Sequence, residues 1–260
     1  MPRLCANLKW LFTERPFLER FSAAANAGFT AVEYASPYEH SVPRLRELLK
    51  AYGLTQVLIN TPTGDPASGA GSGLACLPGR QQEFRDSVKK ALDYAVGLEC
   101  GLVHVMAGIQ LAGTSRDAAF AVYLTNIAWA AELAGQANVR LSLEAVNQHD
   151  APGFFLQTQE QGAAVIAAIG SPYLGLQFDV YHCQISQGDV TRRMEAVMPL
   201  IAHMQIADAP LRNEPGTGEI AWDYVFRRID ELGYQGWVGC EYRPASDTES
   251  GLKWRNRYAV

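Results

Sequence analysis

Five cysteines in 260 residues, at positions 5, 76, 100, 183 and 240, are too few and too scattered to organise a fold. Their number is odd and no CxxC occurs, which argues against a disulfide framework and a structural zinc site and leaves free thiols packed as small apolar side chains. Basic clusters are missing as well. The chain carries 22 Lys and Arg against 27 Asp and Glu, a net charge of −5, and no stripe of cations of the kind a nucleic-acid binder presents. No apolar run approaches membrane-spanning length, since the nearest, AAFAVYLTNIAWAAELAG, is interrupted by Thr125, Asn126 and Glu132. MPRLCANLKW has no basic region followed by an apolar signal core, so the expectation is a soluble cytoplasmic protein. No GxGxxG follows the first strand and no GxxxxGK[ST] occurs, which leaves a nucleotide-binding sheet without support. Internal repeats and low-complexity linkers are absent too.

What is present is a regular alternation. Hydrophobic residues make up 48% of the chain, enough for one large core, and residues 1–260 read as one domain. Strand-like runs stand at 4–8, 31–35, 55–60, 102–108, 140–147, 174–182, 201–208 and 236–244. Several are apolar almost throughout, as strands covered on both faces of a parallel sheet are. Helical patterns lie between them at 17–27, 43–52, 81–98, 116–135, 159–169, 191–197 and 222–232, with a last short one near 249–258. In the first, Phe17, Leu18, Phe21, Ala24 and Ala25 form one stripe, and Gly28 is placed to end it. Eight strand–helix units in a chain of this length predict an α/β fold, a single (β/α)₈ TIM barrel. The Gly-, Ser- and Pro-rich stretch 61–80 follows the third strand and is read either as a lid or as surface irregularity.

In such a barrel the active site forms where the strands end. The ends carry Glu33, His104, Glu144, Asp179 with His182, then His203, Gln205 and Asp208, and finally Glu241. Taken singly these have ordinary readings. Glu33 and Asp208 read as exposed residues or helix caps, and His104 and His203 as satisfied core histidines. Glu144, Asp179, Gln205 and Glu241 are different because each follows an apolar run and they fall on four successive strands. Three carboxylates converging in a confined pocket repel one another and are costly to desolvate. A divalent cation removes that conflict, and two Glu, one Asp and one Gln amide suit Mg²⁺ or Mn²⁺ better than zinc.

A cation flanked by Glu144 and Glu241 suits proton transfer next to a carbonyl, the chemistry of an aldose–ketose isomerase or a ketose epimerase. His182, three residues beyond Asp179, is placed to hydrogen-bond substrate. Arg80, Arg212 and Arg243 near one mouth point to an acidic substrate, because a guanidinium grips carboxylates bidentately. Trp10, Phe12, Tyr38 and Trp222 are candidate pocket walls, with core packing as the ordinary reading of each.

The segments ANLKWLFTERPFLERF, SGLACLPGRQQEFRD, LEAVNQHDAPGF, FDVYHCQ, HMQIADAPLRNEPGTGEI and GYQGWVGCEYRP resemble the hydroxypyruvate isomerase family, within the xylose-isomerase-like (β/α)₈ superfamily, along nearly the whole chain. The resemblance implies interconversion of hydroxypyruvate and tartronate semialdehyde in glyoxylate metabolism. It implies Glu144 and Glu241 as acid/base residues and Glu144, Asp179, Gln205 and Glu241 as metal ligands. His182 and Arg212 stand where related enzymes contact substrate. VHVMAG departs toward relatives acting on 2-oxotetronates, four-carbon acids with one more hydroxyl. The alternatives are therefore a 2-oxotetronate isomerase, a ketose 3-epimerase, a metal-dependent endonuclease of the same barrel type, and a non-catalytic barrel. The expected partner is a small hydroxy or oxo acid, with no nucleic acid and no membrane, and homo-oligomerisation is compatible with the sequence.

Overall fold

The structure, a computed structural model, describes residues 2–258. Eight parallel strands close on themselves in chain order: β1 (Arg3–Asn7), β2 (Ala31–Glu33), β3 (Thr55–Asn60), β4 (Leu102–His104), β5 (Arg140–Glu144), β6 (Leu174–Asp179), β7 (Ile201–Ile206) and β8 (Trp237–Cys240). The expected TIM barrel is the fold. The principal outer helices are α1 (Arg20–Asn26), α2 (Val42–Tyr52), α3 (Gln81–Gly97), α4 (Arg116–Gln136), α5 (Gln159–Ile169), α6 (Val180–Ser186), α7 (Val190–Val197) and α8 (Trp222–Glu231). Two short turns of helix follow, α9 (Thr248–Gly251) and α10 (Trp254–Tyr258), where the sequence suggested one. Among the described residues no helix is long and apolar enough to cross a membrane.

Local chemistry sets the helix ends. Ser115 caps α4 by accepting from the Ala118 N–H at 3.2 Å, and Thr158 caps α5 by accepting from Gln161 at 3.2 Å. Gly53 and Gly170 end α2 and α5 in the left-handed conformation that glycine adopts without a Cβ penalty. The strands stop earlier than their apolar runs. The clearest case is β6, which was expected to continue to residue 182 but ends at Asp179. The Asp179 carboxylate accepts from the Tyr181 and His182 N–H groups at 2.7 and 3.3 Å, and α6 starts there. A strand-end acid that caps the next helix turns the chain outward and leaves His182 on a helix.

All five cysteines are buried free thiols. Stretch 61–80 is not loose: Ala70, Leu74, Ala75, Cys76 and Leu77 are buried, and Cys76 N–H donates to the Ala107 carbonyl beyond β4 at 2.9 Å. Of the proposed walls, Phe12 and Trp222 belong to the core, the latter packed at a tilt against Phe226.

Inside the barrel, Gly239 of β8 faces Glu33 of β2. A Cβ at 239 would overlap the Glu33 carboxylate. Gly239→Ala is expected to destabilise the protein by about 1–3 kcal/mol, the usual cost of overpacking. An unchanged midpoint in urea denaturation would show that the interior has room to spare.

Candidate active site

The ends of β5 to β8 bring the expected acids to one side of the barrel mouth. Glu144 closes β5, Asp179 closes β6, and Glu241 follows β8 directly. Register pairs Asp179 with Gln205 of β7, so Glu144 and Glu241 flank that pair. Asp179 and Glu144 are buried at 0% and 7% exposure, while Glu241 keeps a 16% exposed side chain. Glu144 Oε1 and Asp179 Oδ2 are buried and accept no hydrogen bond. Two orphaned carboxylate oxygens in one cluster are a strong signal, because buried polar atoms are nearly always satisfied.

The cation that stands among these acids is Arg212. Its guanidinium donates to Glu241 Oε2 at 3.0 Å and to Asp150 Oδ2 at 3.1 Å, and lies 3.7 Å from Asp179 Oδ2. The rings of Trp10 and Tyr181 hold it at 4.8 and 5.0 Å. Trp10 also donates its indole N–H to Glu241 Oε1 at 3.2 Å. The loop bearing Arg212 is built on Asp208, whose carboxylate accepts from the N–H groups of Ala209, Gly216, Gly218 and Ile220 at 2.8–3.1 Å. Gly218 must lack a Cβ because the Ala209 carbonyl fills that space. This explains the EPGTGEI motif. It also corrects the reading of Asp208 as an exposed residue or cap, since it is 1% exposed and organises the loop.

Electrostatics follow from burial. Burial pushes the Glu144 carboxyl well above its usual value, and Glu241 and Asp179 push it further against the pull of Arg212. Burial likewise raises Asp179, Arg212 opposes, Glu241 adds, and the carboxyl settles at about 7. Burial alone would lower Arg212, but Glu241, Asp179, Glu144 and Asp150 outweigh it and the guanidinium is raised. His104 lies 3.7 Å from Glu144 Oε2 with its pKa lowered by burial to about 3, so it is neutral.

His182 is fixed from behind. Its Nδ1 faces the Asn147 side-chain NH₂ at 2.7 Å and the Asn147 backbone N–H at 3.3 Å. Asn147 cannot turn its amide over, because its oxygen already accepts from the His149 and Asp150 N–H groups. Nδ1 is therefore the acceptor and Nε2 carries the proton, 3.8 Å from Asp179 Oδ2. Although Glu144, Asp179 and His182 lie close enough to hold an ion, this tautomer makes His182 a donor.

Two expected residues stand differently. Gln205 lines the same wall, but its amide is engaged with Gln177 and Glu33. Arg80 pairs with Glu83 at 2.5 Å and reaches Ser68, with no contact to the acid cluster, so it does not join the group. Asp150 and Asn147 were missed. Nothing in the sequence marked Asp150. Asn147, whose oxygen binds the next two N–H groups but one, carries the Asx-turn habit that a closer reading of NQHD would have flagged. At the same end of the barrel, over the ends of β1 to β4, opens a cavity of about 410 Å³ whose lining includes Lys9, Arg20, Ser36, Asn60, Thr61 and Met106.

Comparison with known proteins agrees with this geometry. A profile described as Xylose isomerase-like TIM barrel matches residues 21–258. The chain belongs to this family. Within it, the chain is 46% identical to 2-oxo-tetronate isomerase of Cupriavidus necator, covering 99% of both, and 42% identical to hydroxypyruvate isomerase of Escherichia coli, covering 99% of this chain and 100% of that one. A solved structure from Brucella melitensis, described as an AP endonuclease of family 2, superposes with a TM-score of 0.95 at 42% identity, covering 99% of both chains.

The raised Asp179 has a sign that can be checked. An unfolded Asp ionises near pH 3.9, whereas Asp179 ionises at about 7. The stability tied to its neutral form is full below about pH 4 and is lost as pH rises through about 7. In EDTA, wild-type Tm should fall more steeply over this window than that of Asp179→Asn. Parallel curves would contradict the burial argument.

Proposed function

We propose that the chain, acting as one catalytic barrel, is an isomerase of small 2-oxo acids. It interconverts hydroxypyruvate and tartronate semialdehyde (2-hydroxy-3-oxopropanoate) through an enediolate. The observation that carries this reading is the burial of Glu144 and Asp179 with unpartnered oxygens beside Glu241. An all-oxygen set of this kind fits a hard divalent cation, Mg²⁺ or Mn²⁺, held by Glu144, Asp179, Gln205 and Glu241. When bound, that cation supplies the charge that polarises the substrate oxygens and offsets the negative charge of the enediolate.

The residues supply the proton transfers. Glu144 and Glu241 flank the substrate position from β5 and β8. One carboxylate takes the proton from C3 of hydroxypyruvate and the other returns one to C2, while the hydroxyl proton passes from O3 to O2. His182 presents Nε2–H to a substrate oxygen, its ring locked by Asn147. Arg212, already aligned by Trp10, Tyr181 and Asp150, is set to meet the substrate carboxylate. Arg80, spent on Glu83, is not part of this clamp.

The second reading, 2-oxotetronate isomerisation, is favoured by one observation, the cavity of about 410 Å³ over the ends of β1 to β4, which has room for the additional hydroxymethyl group. An endonuclease role, which the description of the Brucella protein suggests, has little support in a chain of net charge −5.

Proton NMR in D₂O tests the proposal. Incubation of hydroxypyruvate or 2-oxotetronate with the protein and Mg²⁺ should give the isomer with deuterium at carbon, and excess EDTA should stop it. Glu241→Gln should lose at least ~100-fold in turnover, the scale of one acid/base group, with an unchanged circular dichroism spectrum. A near-normal rate in that variant would remove Glu241 from the mechanism.

A further inference from the structure

Beneath the carboxylates of the mouth lies a second polar group, fully enclosed by the barrel. Glu33 is 0% exposed, which corrects its reading as an exposed residue or cap. Its Oε1 accepts from Asn7 Nδ2 and from Gln205 Nε2, both at 2.8 Å. Its Oε2 faces His203 Nε2 at 2.5 Å and accepts from the Cys5 thiol at 3.4 Å. Burial pushes the Glu33 carboxyl up, but His203 and the amide donors outweigh it and hold it below the usual value. Cys5, Glu33 and His203 lie close enough together to be a metal set themselves. They do not form one, because burial keeps the Cys5 thiol protonated and both Glu33 oxygens are already served.

What rests on this base is Gln205. Its NH₂ donates to Glu33, and its oxygen accepts from Gln177 Nε2 at 2.7 Å. Gln177 in turn accepts from Ser142 Oγ at 3.0 Å. The amide cannot turn over, since that would set its oxygen against the Glu33 carboxylate. A carbonyl oxygen has two lone pairs, and only one of those on Gln205 is used. Register sets that residue beside Asp179.

We infer that Glu33 is a positioning residue for the cation site: its carboxylate, pinned by Asn7, Cys5 and His203, orients the Gln205 amide so that the carbonyl oxygen is presented to a divalent cation. The inference rests on the proposed ligand role of Gln205. Glu33 itself touches neither cation nor substrate. A glutamine at 33 would keep an oxygen there, because Asn7, whose own oxygen accepts from the Lys9 N–H, holds its NH₂ toward that position, whereas a leucine accepts from neither amide and leaves the Gln205 orientation unselected.

The test is Mn²⁺ binding to metal-stripped protein, read from the electron paramagnetic resonance signal of free Mn²⁺. Glu33→Leu should weaken binding by ~10–100-fold, the usual loss when an outer partner of a ligand is removed. In a Gln205→Ala background the same change should cost nothing more, because its route is gone. Should Glu33→Leu leave the barrel poorly folded, Glu33→Leu with His203→Leu removes the acid and its imidazole partner together, strands no imidazole, and should weaken Mn²⁺ equally. Wild-type affinity in the Glu33 variants, or an undiminished loss in the Gln205→Ala background, overturns the inference and leaves the isomerase reading intact. Failure of the wild type itself to bind Mn²⁺ removes the cation reading and this inference with it.

Discussion

Like charge forced into one enclosed wall is the constraint on which the rest of the site depends. Glu144, Asp179 and Glu241 are brought together because β5, β6 and β8 end at the same mouth of a closed parallel sheet. Nothing in the sheet relieves their repulsion. Burial raises Glu144 and Asp179, and Arg212 is the positive side chain that answers them. The loop that aims Arg212 is costly in its own terms: Arg212 has φ 60°, and Asp208 is buried to gather four backbone N–H groups beneath it. Such outlay is reasonable if the acids must remain close together for chemistry.

The barrel interior contrasts two tiers made from the same residue types. In the lower tier Glu33 is surrounded by Asn7, Cys5, His203 and Gln205, and both oxygens are satisfied. In the upper tier Glu144 Oε1 and Asp179 Oδ2 have no hydrogen-bond partner. Satisfaction makes the lower tier a rigid base, and its absence makes the upper tier receptive. The chain Glu33–Gln205–Gln177–Ser142 spans β2, β7, β6 and β5, linking the base to the wall that carries the acids.

The barrel was legible because its signal is repeated. Eight apolar runs alternating with helical patterns leave few other folds, and acids at the ends of the fifth, sixth and eighth runs stand out against that background. Side-chain pairing was less legible because it depends on distances across the barrel. Glu33 looked like any acid at a strand end, and only its approach to His203, 170 positions away, makes it an internal residue. Arg80 looked like part of a carboxylate clamp, but Glu83 one helical turn on captures it first. The apolar run through Val180 and Tyr181 read as strand because burial, not extended backbone, is what such a run reports. Asp179 decides the matter by capping α6.

The two reactions named among the relatives differ by one hydroxymethyl group on the carbon that loses its proton. On the proposed mechanism the proton transfers are the same, so the pair Glu144 and Glu241 cannot choose between them. The choice falls to whatever surrounds that carbon's far substituent. Over β1 to β4 the cavity wall carries Asn60, Thr61 and Ser36, hydrogen-bonding groups that a three-carbon acid would leave to water. Asn60 already spends its NH₂ on the Met106 sulfur at 3.3 Å, a weak acceptor that a hydroxyl would readily replace. A site that binds a substrate hydroxyl rejects the analogue lacking it, because its own polar groups are then left unpaired. On the proposed reading, the acid wall on β5 to β8 sets the reaction, and the opposite wall on β1 to β4 sets the length of chain it acts on.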